Sequence, residues 1–294
     1  MVTNVRRLLE LIRFSHTIFA LPFALMAAAL AWRDEPFRWA DLAGILACMV
    51  FARSAAMAFN RLVDRDVDAR NPRTAGRHLP AGSLRAGTVW GFTLACCAAF
   101  VAATLIFYHR DPPNPWPLVL AGPVLLFVLG YSLAKRFTSL AHFWLGGALM
   151  LAPVAAWIAV KGMADMGVPL LLGAAVLFWV AGFDILYACQ DAAFDRDHGL
   201  HSVPARFGVG ASLRVAAGCH AVMFGLLVAL GFASPHLGTI YRAGLAAVGA
   251  LLVYEHALVR PHDLARVNRA FFAVNGVISV GLLALVLVQL AAGR

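Results

Sequence analysis

Two acidic stretches carry the residues best suited to chemistry. The first reads Asn60-Arg-Leu-Val-Asp64-Arg-Asp-Val-Asp68, so Asn60, Asp64 and Asp68 recur at every fourth position. On a helix, four residues turn about 400° and rise about 6 Å, which stacks the three side chains along one face. The second reads Tyr187-Ala-Cys-Gln-Asp191-Ala-Ala-Phe-Asp195 and repeats the spacing of the acids, with Tyr187 one turn earlier. Like charges so placed repel unless a cation lies between them. Mg2+ answers that need, because one or two carboxylates, substrate phosphate oxygens and water are its usual ligands. Two such clusters facing one another at one end of a helical bundle would hold Mg2+ bridged by a diphosphate. Nearby Arg and Lys would contact the remaining phosphate oxygens.

Several basic residues have the placement for that task. Arg53 lies two helical turns before Asn60 and falls inside an apolar run, where a charged group is expensive and is a functional candidate by default. Arg73 and Arg77 follow the first motif, and Lys135 and Arg136 end another apolar run, with Tyr131 four residues before Lys135. Each of these also reads as a charge that sets membrane orientation. Asp184, seven residues before Asp191, falls inside an apolar run, and its role stays open. Asp66, Asp197 and Glu255 read as plain polar-face residues. His198 and His201 have no third metal ligand in view and read as loop hydrogen-bonding groups.

The elements that must position these residues are membrane helices. Of 294 residues, 62% are hydrophobic and 13% charged, and mean hydropathy is +0.78. Soluble domains have about 25% charged residues. A water-soluble globule, a disordered chain and a disulfide scaffold are all excluded on this ground. Apolar runs of about 20 residues, the length that spans a bilayer core, fall at 14–32, 40–60, 87–108, 116–134, 140–160, 169–190, 212–232, 238–258 and 270–291. The expectation is an all-α polytopic membrane protein with nine transmembrane helices and a single domain over 1–294. The five cysteines form no CxxC pair and read as small core residues. The N-terminal region, with Arg6, Arg7 and Arg13 before a long span, does not read as a cleavable signal.

The net charge of +9 could suggest nucleic acid, but the basic residues sit in short loops, so no nucleic-acid partner is expected. Seventeen Lys and Arg fall on the side of the N-terminus, against six on the other side. That bias places the N-terminus and both acidic segments in the cytoplasm and the C-terminus outside.

The combination of motifs resembles the UbiA superfamily of intramembrane prenyltransferases. The likeness rests on Asn60, Asp64 and Asp68 followed by Arg73-Thr74 and Arg77-His-Leu-Pro-Ala-Gly82. It continues through Tyr131 to Lys135 with Arg136-Phe-Thr, and through Asp191-Ala-Ala-Phe-Asp195-Arg-Asp-His-Gly-Leu-His-Ser. It covers essentially the whole chain. The phrases Asn71-Pro-Arg-Thr and Phe183-Asp-Ile-Leu-Tyr187 are similar to a subgroup labelled 4-hydroxybenzoate polyprenyltransferases. Relatives of another kind prenylate 1,4-dihydroxy-6-naphthoate. Many members have Arg-Pro-Leu where this chain has Arg77-His78-Leu79, which bears on subgroup more than on chemistry.

The resemblance implies a bundle around a central cavity in a bacterial-type inner membrane. The reaction it implies is Mg2+-dependent transfer of a polyprenyl group from its diphosphate to an aromatic acid. Asn60, Asp64, Asp68, Asp191 and Asp195 would hold the Mg2+-diphosphate. Arg73, Arg77 and Lys135 would contact diphosphate, and Tyr131 and Tyr187 would line the substrate. Arg53 or Arg136 would orient an acceptor carboxylate, a bidentate task suited to Arg. Asp64, Asp191 and Lys135 would carry the catalytic weight, with Asp191 also placed to position or deprotonate the acceptor. Two rivals fit less well. A CDP-alcohol phosphotransferase needs one compact DxxDG…DxxxD block, and a secondary transporter needs acids at the midplane.

Overall fold

The computed structural model describes residues 7, 8, 10, 11, 19–264 and 266–293. Arg6, Arg13, Arg294 and positions 14–18 of the expected first span lie outside the described residues. The principal helices are α1 (Leu21–Ala31), α2 (Trp39–Val63), α3 (Arg65–Arg70), α4 (Ala86–Tyr108), α5 (Trp116–Gly130) and α6 (Ala141–Lys161). They continue with α7 (Gly167–Ala188), α8 (Ala192–Asp197), α9 (Val203–Ala233), α10 (Thr239–Leu258) and α11 (Asn275–Ala292). No strand occurs among the described residues, where an isolated bridge joins Arg260 and Asp263. Seven helices there are long and apolar enough to cross a membrane. Backbone groups in lipid must be satisfied within the segment, which is why such runs are helical.

Two of the nine expected spans differ from those seven. The α1 helix has 11 described residues, and α10 has 20 but carries Arg242, Glu255 and His256, which lower its hydropathy. The seventh expected span, 212–232, begins earlier, at Val203. Ser202 caps α9 by accepting from the Ala205 amide at 3.2 Å, and Pro204 sits in the first turn, where its missing N–H costs nothing. Gly208, at φ 77°, breaks the regular helix soon after.

The chain forms two compact units. The first holds Arg38–Leu133 with the described part of Met1–Thr17. Here α2 packs along α4, and Gly44 lies against the Phe107 ring where a methyl group would not fit. A cluster of Leu11, Ala58, Leu79, Leu84 and Val89 ties the segment after the first acidic motif back onto α2. That segment, Asn71 to Arg85, is a train of turns: Ala75 N–H donates to Asn71 O and Ala81 N–H to Arg77 O, both at 2.9 Å.

The second unit holds Ile18–Phe37 and Ala134–Arg294. Its centre is α7, packed between α6 and α9. Small residues permit the approach: Gly146 meets the Leu177 carbonyl, Gly173 meets Met150, and Gly182 meets the His220 ring. In lipid, such close van der Waals contact between helices replaces the hydrophobic drive of water. Ile185, Leu186, Val203 and Ala216 pack together where α7 ends and α9 begins, fixing the segment that bears the second acidic motif. The far ends of α6 and α9 are tied by Asp34, which accepts from Lys161 Nζ at 2.8 Å and lies 2.8 Å from His236 Nε2.

One sequence expectation is overturned here. Glu255 is wholly buried rather than on a polar face. Its Oε1 accepts from Asn275 Nδ2 at 2.6 Å, and Asn275 Oδ1 accepts from Trp179 Nε1 at 2.6 Å. Buried polar groups require partners; this chain across α10, α11 and α7 supplies one to Glu255 Oε1, while Oε2 is enclosed without a hydrogen bond, 3.6 Å from His220 Nδ1. Asp66 and Asp197 are exposed, as read from sequence. The cysteines are free, and Cys96, Cys189 and Cys219 are buried.

Candidate functional site

The first unit carries Arg53, Asn60, Asp64, Asp68, Arg73, Arg77 and Tyr131. The helix bearing the motif is interrupted at Asp64, which ends α2 and begins α3. The four-residue ladder still runs through the break: Asp64 N–H donates to Asn60 O at 2.9 Å, and Asp68 N–H to Asp64 O at 2.7 Å. The acids therefore keep their alignment. Asn60 Nδ2 donates to Asp64 Oδ2 at 2.8 Å. Arg77 Nη1 donates to both oxygens of buried Asp68, at 2.7 and 2.8 Å. Thr74 Oγ1 donates to Asp68 O at 3.0 Å, and Arg73 N–H to Asn71 Oδ1 at 2.9 Å. The turns after α3 thus bring Arg77 onto the motif and leave the Arg73 side chain exposed. Arg53 sits partly buried on α2, its Nε enclosed without a hydrogen-bond partner.

The second unit carries Lys135, Arg136, Asp184, Tyr187, Asp191 and Asp195. Tyr131–Arg136 is a 3-10 helix, with three residues per turn. The four-residue spacing from Tyr131 to Lys135 therefore does not align the pair as an α-helix would. A second 3-10 segment, Cys189–Asp191, joins α7 to α8. Asp191 and Asp195 are both buried. Lys135 Nζ lies 3.8 Å from Asp195 Oδ2, an oxygen that is buried and has no hydrogen-bond donor. The backbone holds this arrangement: His201 N–H donates to Lys135 O at 2.7 Å, and Leu200 N–H to Asp195 O at 2.8 Å. Tyr187 is half-buried and its carbonyl accepts from Gln190 Nε2 at 3.2 Å. Arg136 is exposed. His198 bonds Phe194 O at 2.9 Å, the loop role read from sequence.

The donor set suits a hard cation. Carboxylate and amide oxygens are what Mg2+ takes, and the enclosed Asp195 oxygen lacking a hydrogen bond is an acceptor that a cation would satisfy. Among the described residues no group of three or more His, Cys, Asp or Glu converges as a finished metal site. Mg2+ does not require one, since substrate phosphates and water complete its shell. His142 was missed in the sequence: its Nδ1 lies 2.6 Å from Asp184 Oδ2. A lone histidine opening an apolar run reads as core, and its partner is 42 residues away.

Comparison with known proteins adds three findings. The model of the UbiA prenyltransferase family matches residues 20–289. Proteins named 4-hydroxybenzoate octaprenyltransferase are similar to this chain. The one from Aromatoleum aromaticum is 32% identical over 241 residues, covering 81% of this chain and 78% of the relative. The one from Marinobacter nauticus is 30% identical over 276 residues, covering 93% and 90%. Among solved structures, an apo UbiA homolog from Aeropyrum pernix K1 superposes with TM-score 0.83 at 33% identity, covering 94% of this chain and 98% of that one. A UbiA homolog from Archaeoglobus fulgidus bound to GPP and Mg2+ superposes with TM-score 0.74 at 19% identity, covering 97% and 99%, and shares the fold.

Proposed function

This chain belongs to the UbiA prenyltransferase family, and from that premise we propose that it transfers a polyprenyl group from polyprenyl diphosphate to 4-hydroxybenzoate in respiratory quinone biosynthesis. The observation that carries the reading is the pair of four-residue acidic ladders, each with a basic side chain on its last carboxylate: Arg77 on Asp68 and Lys135 on Asp195. The names of the bacterial relatives support the acceptor. The GPP and Mg2+ in the archaeal relative support the donor and the metal.

Bound Mg2+ supplies charge for the departing diphosphate. Asn60, Asp64, Asp68, Asp191 and Asp195 hold that metal-diphosphate. Arg73, Arg77 and Lys135 bind its remaining oxygens, so the allylic C–O bond breaks with its electron pair neutralised. Tyr131 and Tyr187 line the substrate, and Arg53 or Arg136 orients the acceptor carboxylate. The apolar walls keep water from the allylic cation, and the ring carbon ortho to the hydroxyl forms the new bond. Residues 1–294 act as one domain of nine transmembrane helices around a central cavity, in a bacterial-type inner membrane. The N-terminus and both acidic motifs are cytoplasmic and the C-terminus is outside, a reading that the excess of basic residues in the loops on one side supports.

The test is transfer by purified protein in nanodiscs, with a labelled allylic diphosphate and Mg2+ and either 4-hydroxybenzoate or 1,4-dihydroxy-6-naphthoate. Product with 4-hydroxybenzoate is the expected outcome. Product only with the naphthoate moves the enzyme to menaquinone synthesis, and Mg2+-independent flux without product would favour a transporter.

A further inference from the structure

Asp184 sits on α7, seven residues before Asp191. Four α steps and three 3-10 steps separate the two, which is about 12 Å along the axis and within about 40° of the same face. Asp184 therefore lies below the second motif, inside the apolar part of the helix.

Its partner is His142, near the start of α6 and wholly enclosed. Both ring nitrogens are engaged. The Val203 amide reaches His142 Nε2 at 3.3 Å, and an amide N–H can only donate, so Nε2 accepts. The ring proton is then on Nδ1, donated to Asp184 Oδ2 at 2.6 Å. In that tautomer the ring donates a hydrogen bond and brings no charge. Val203 opens α9, and its N–H is one of those a helix leaves unpaired. His142 thus anchors the carboxylate to the frame of the unit. The Asp184 side chain keeps 22% of its surface exposed, against none for His142. The exposed, oriented end of the pair is the carboxylate.

We propose that Asp184 receives the hydroxyl of the aromatic acceptor and that His142 is its positioning residue. This rests on the prenyl-transfer reading above. As the ring carbon bonds the allylic carbon, the allylic C–O pair leaves with diphosphate and the phenolic O–H proton passes to Asp184, which yields a neutral dienone. The ring C–H proton then leaves to the diphosphate, and Asp184 returns its proton to the oxygen. The division of labour is geometric: Asp195, beside Lys135, serves diphosphate, and Asp184, deeper and held by an imidazole, serves the acceptor.

The test compares wild type with Asp184→Asn, His142→Leu and His142→Gln in nanodiscs, using 4-hydroxybenzoate and its 4-methoxy analogue, which cannot donate. Asp184→Asn is expected to lower kcat by about 100-fold or more, the usual size of a lost acid–base group, with KM for the allylic diphosphate within about twofold. The hydroxy-over-methoxy preference should collapse with it, because a site built to receive a hydroxyl discriminates strongly against its absence. His142→Leu should lose about tenfold in kcat, and His142→Gln should recover most of that, since its amide donates to Asp184 and accepts from Val203. The thermal midpoint of each variant reports folding. Undiminished kcat and preference in Asp184→Asn, or a folded His142→Gln no better than His142→Leu, would overturn the assignment. If wild type prenylates no aromatic acceptor, the functional reading falls and the pair's role falls with it, whereas loss confined to the variants bears on the pair alone.

Discussion

A single guanidinium nitrogen, Arg77 Nη1, lies 2.7 and 2.8 Å from the two carboxylate oxygens of Asp68. Asp68 is buried and Arg77 about one quarter exposed. The last acid of the first ladder is therefore held in place by the same side chain proposed to bind diphosphate.

This pairing predicts strong coupling. Arg77→Ala leaves a buried carboxylate without its charge partner, the costly half of breaking an ion pair, while Asp68→Asn removes the charge that needed it. A double-mutant cycle on denaturation midpoints should return a coupling of about 1–3 kcal/mol. Coupling near zero would mean that the bond contributes nothing net to the fold.

The crossing of α6 and α7 predicts a packing effect. Gly146 faces the Leu177 carbonyl with no room for a methyl group. Gly146→Val must push the backbones apart, at about 1–3 kcal/mol, as overpacking usually costs. Because His142 on α6 and Asp184 on α7 straddle that crossing, kcat should fall along with the thermal midpoint. A variant as stable as wild type would contradict the close approach.

The opposite end of the second unit predicts an acid-sensitive tie. The hydrogen bond from Lys161, with His236 beside it, outweighs burial and holds the Asp34 carboxyl below its ordinary value of 3.8. A carboxyl lowered on folding stabilises fully above that ordinary value, and the contribution is lost as pH falls through the lower, folded value. Asp34→Asn should therefore melt below wild type near neutral pH, with the gap narrowing as pH falls below 3.8. Asp34 is 40% exposed, so the gap is small and shrinks with salt. A gap that widens on acidification would contradict this assignment.

The acidic ladders were legible in the sequence because periodicity is local: Asn60, Asp64 and Asp68 announce their alignment within nine residues. The long apolar runs were legible for the same reason. What escaped was pairing between distant segments. Glu255 looked like a surface acid because Asn275, which buries it, lies 20 residues away on another helix. His142 and Asp184 are joined only when α6 meets α7. The α9 helix starts ahead of its apolar run because Arg206 interrupts that run, although Ser202 and Pro204 spell a helix beginning. The Tyr131–Lys135 spacing implied one shared face, which a 3-10 turn does not provide.

The most direct test of the account is binding of a non-ionisable prenyl thiodiphosphate to the protein in nanodiscs, by calorimetry with Mg2+ and with EDTA, for wild type, Asp64→Ala and Asp191→Ala. Binding is expected to require Mg2+ and to weaken about tenfold or more in each variant, since even the groups that only support a metal's ligands are worth that much. Equal affinity in EDTA, or an Asp191→Ala variant that binds as wild type does, would contradict the claim that both acidic motifs hold the metal-diphosphate.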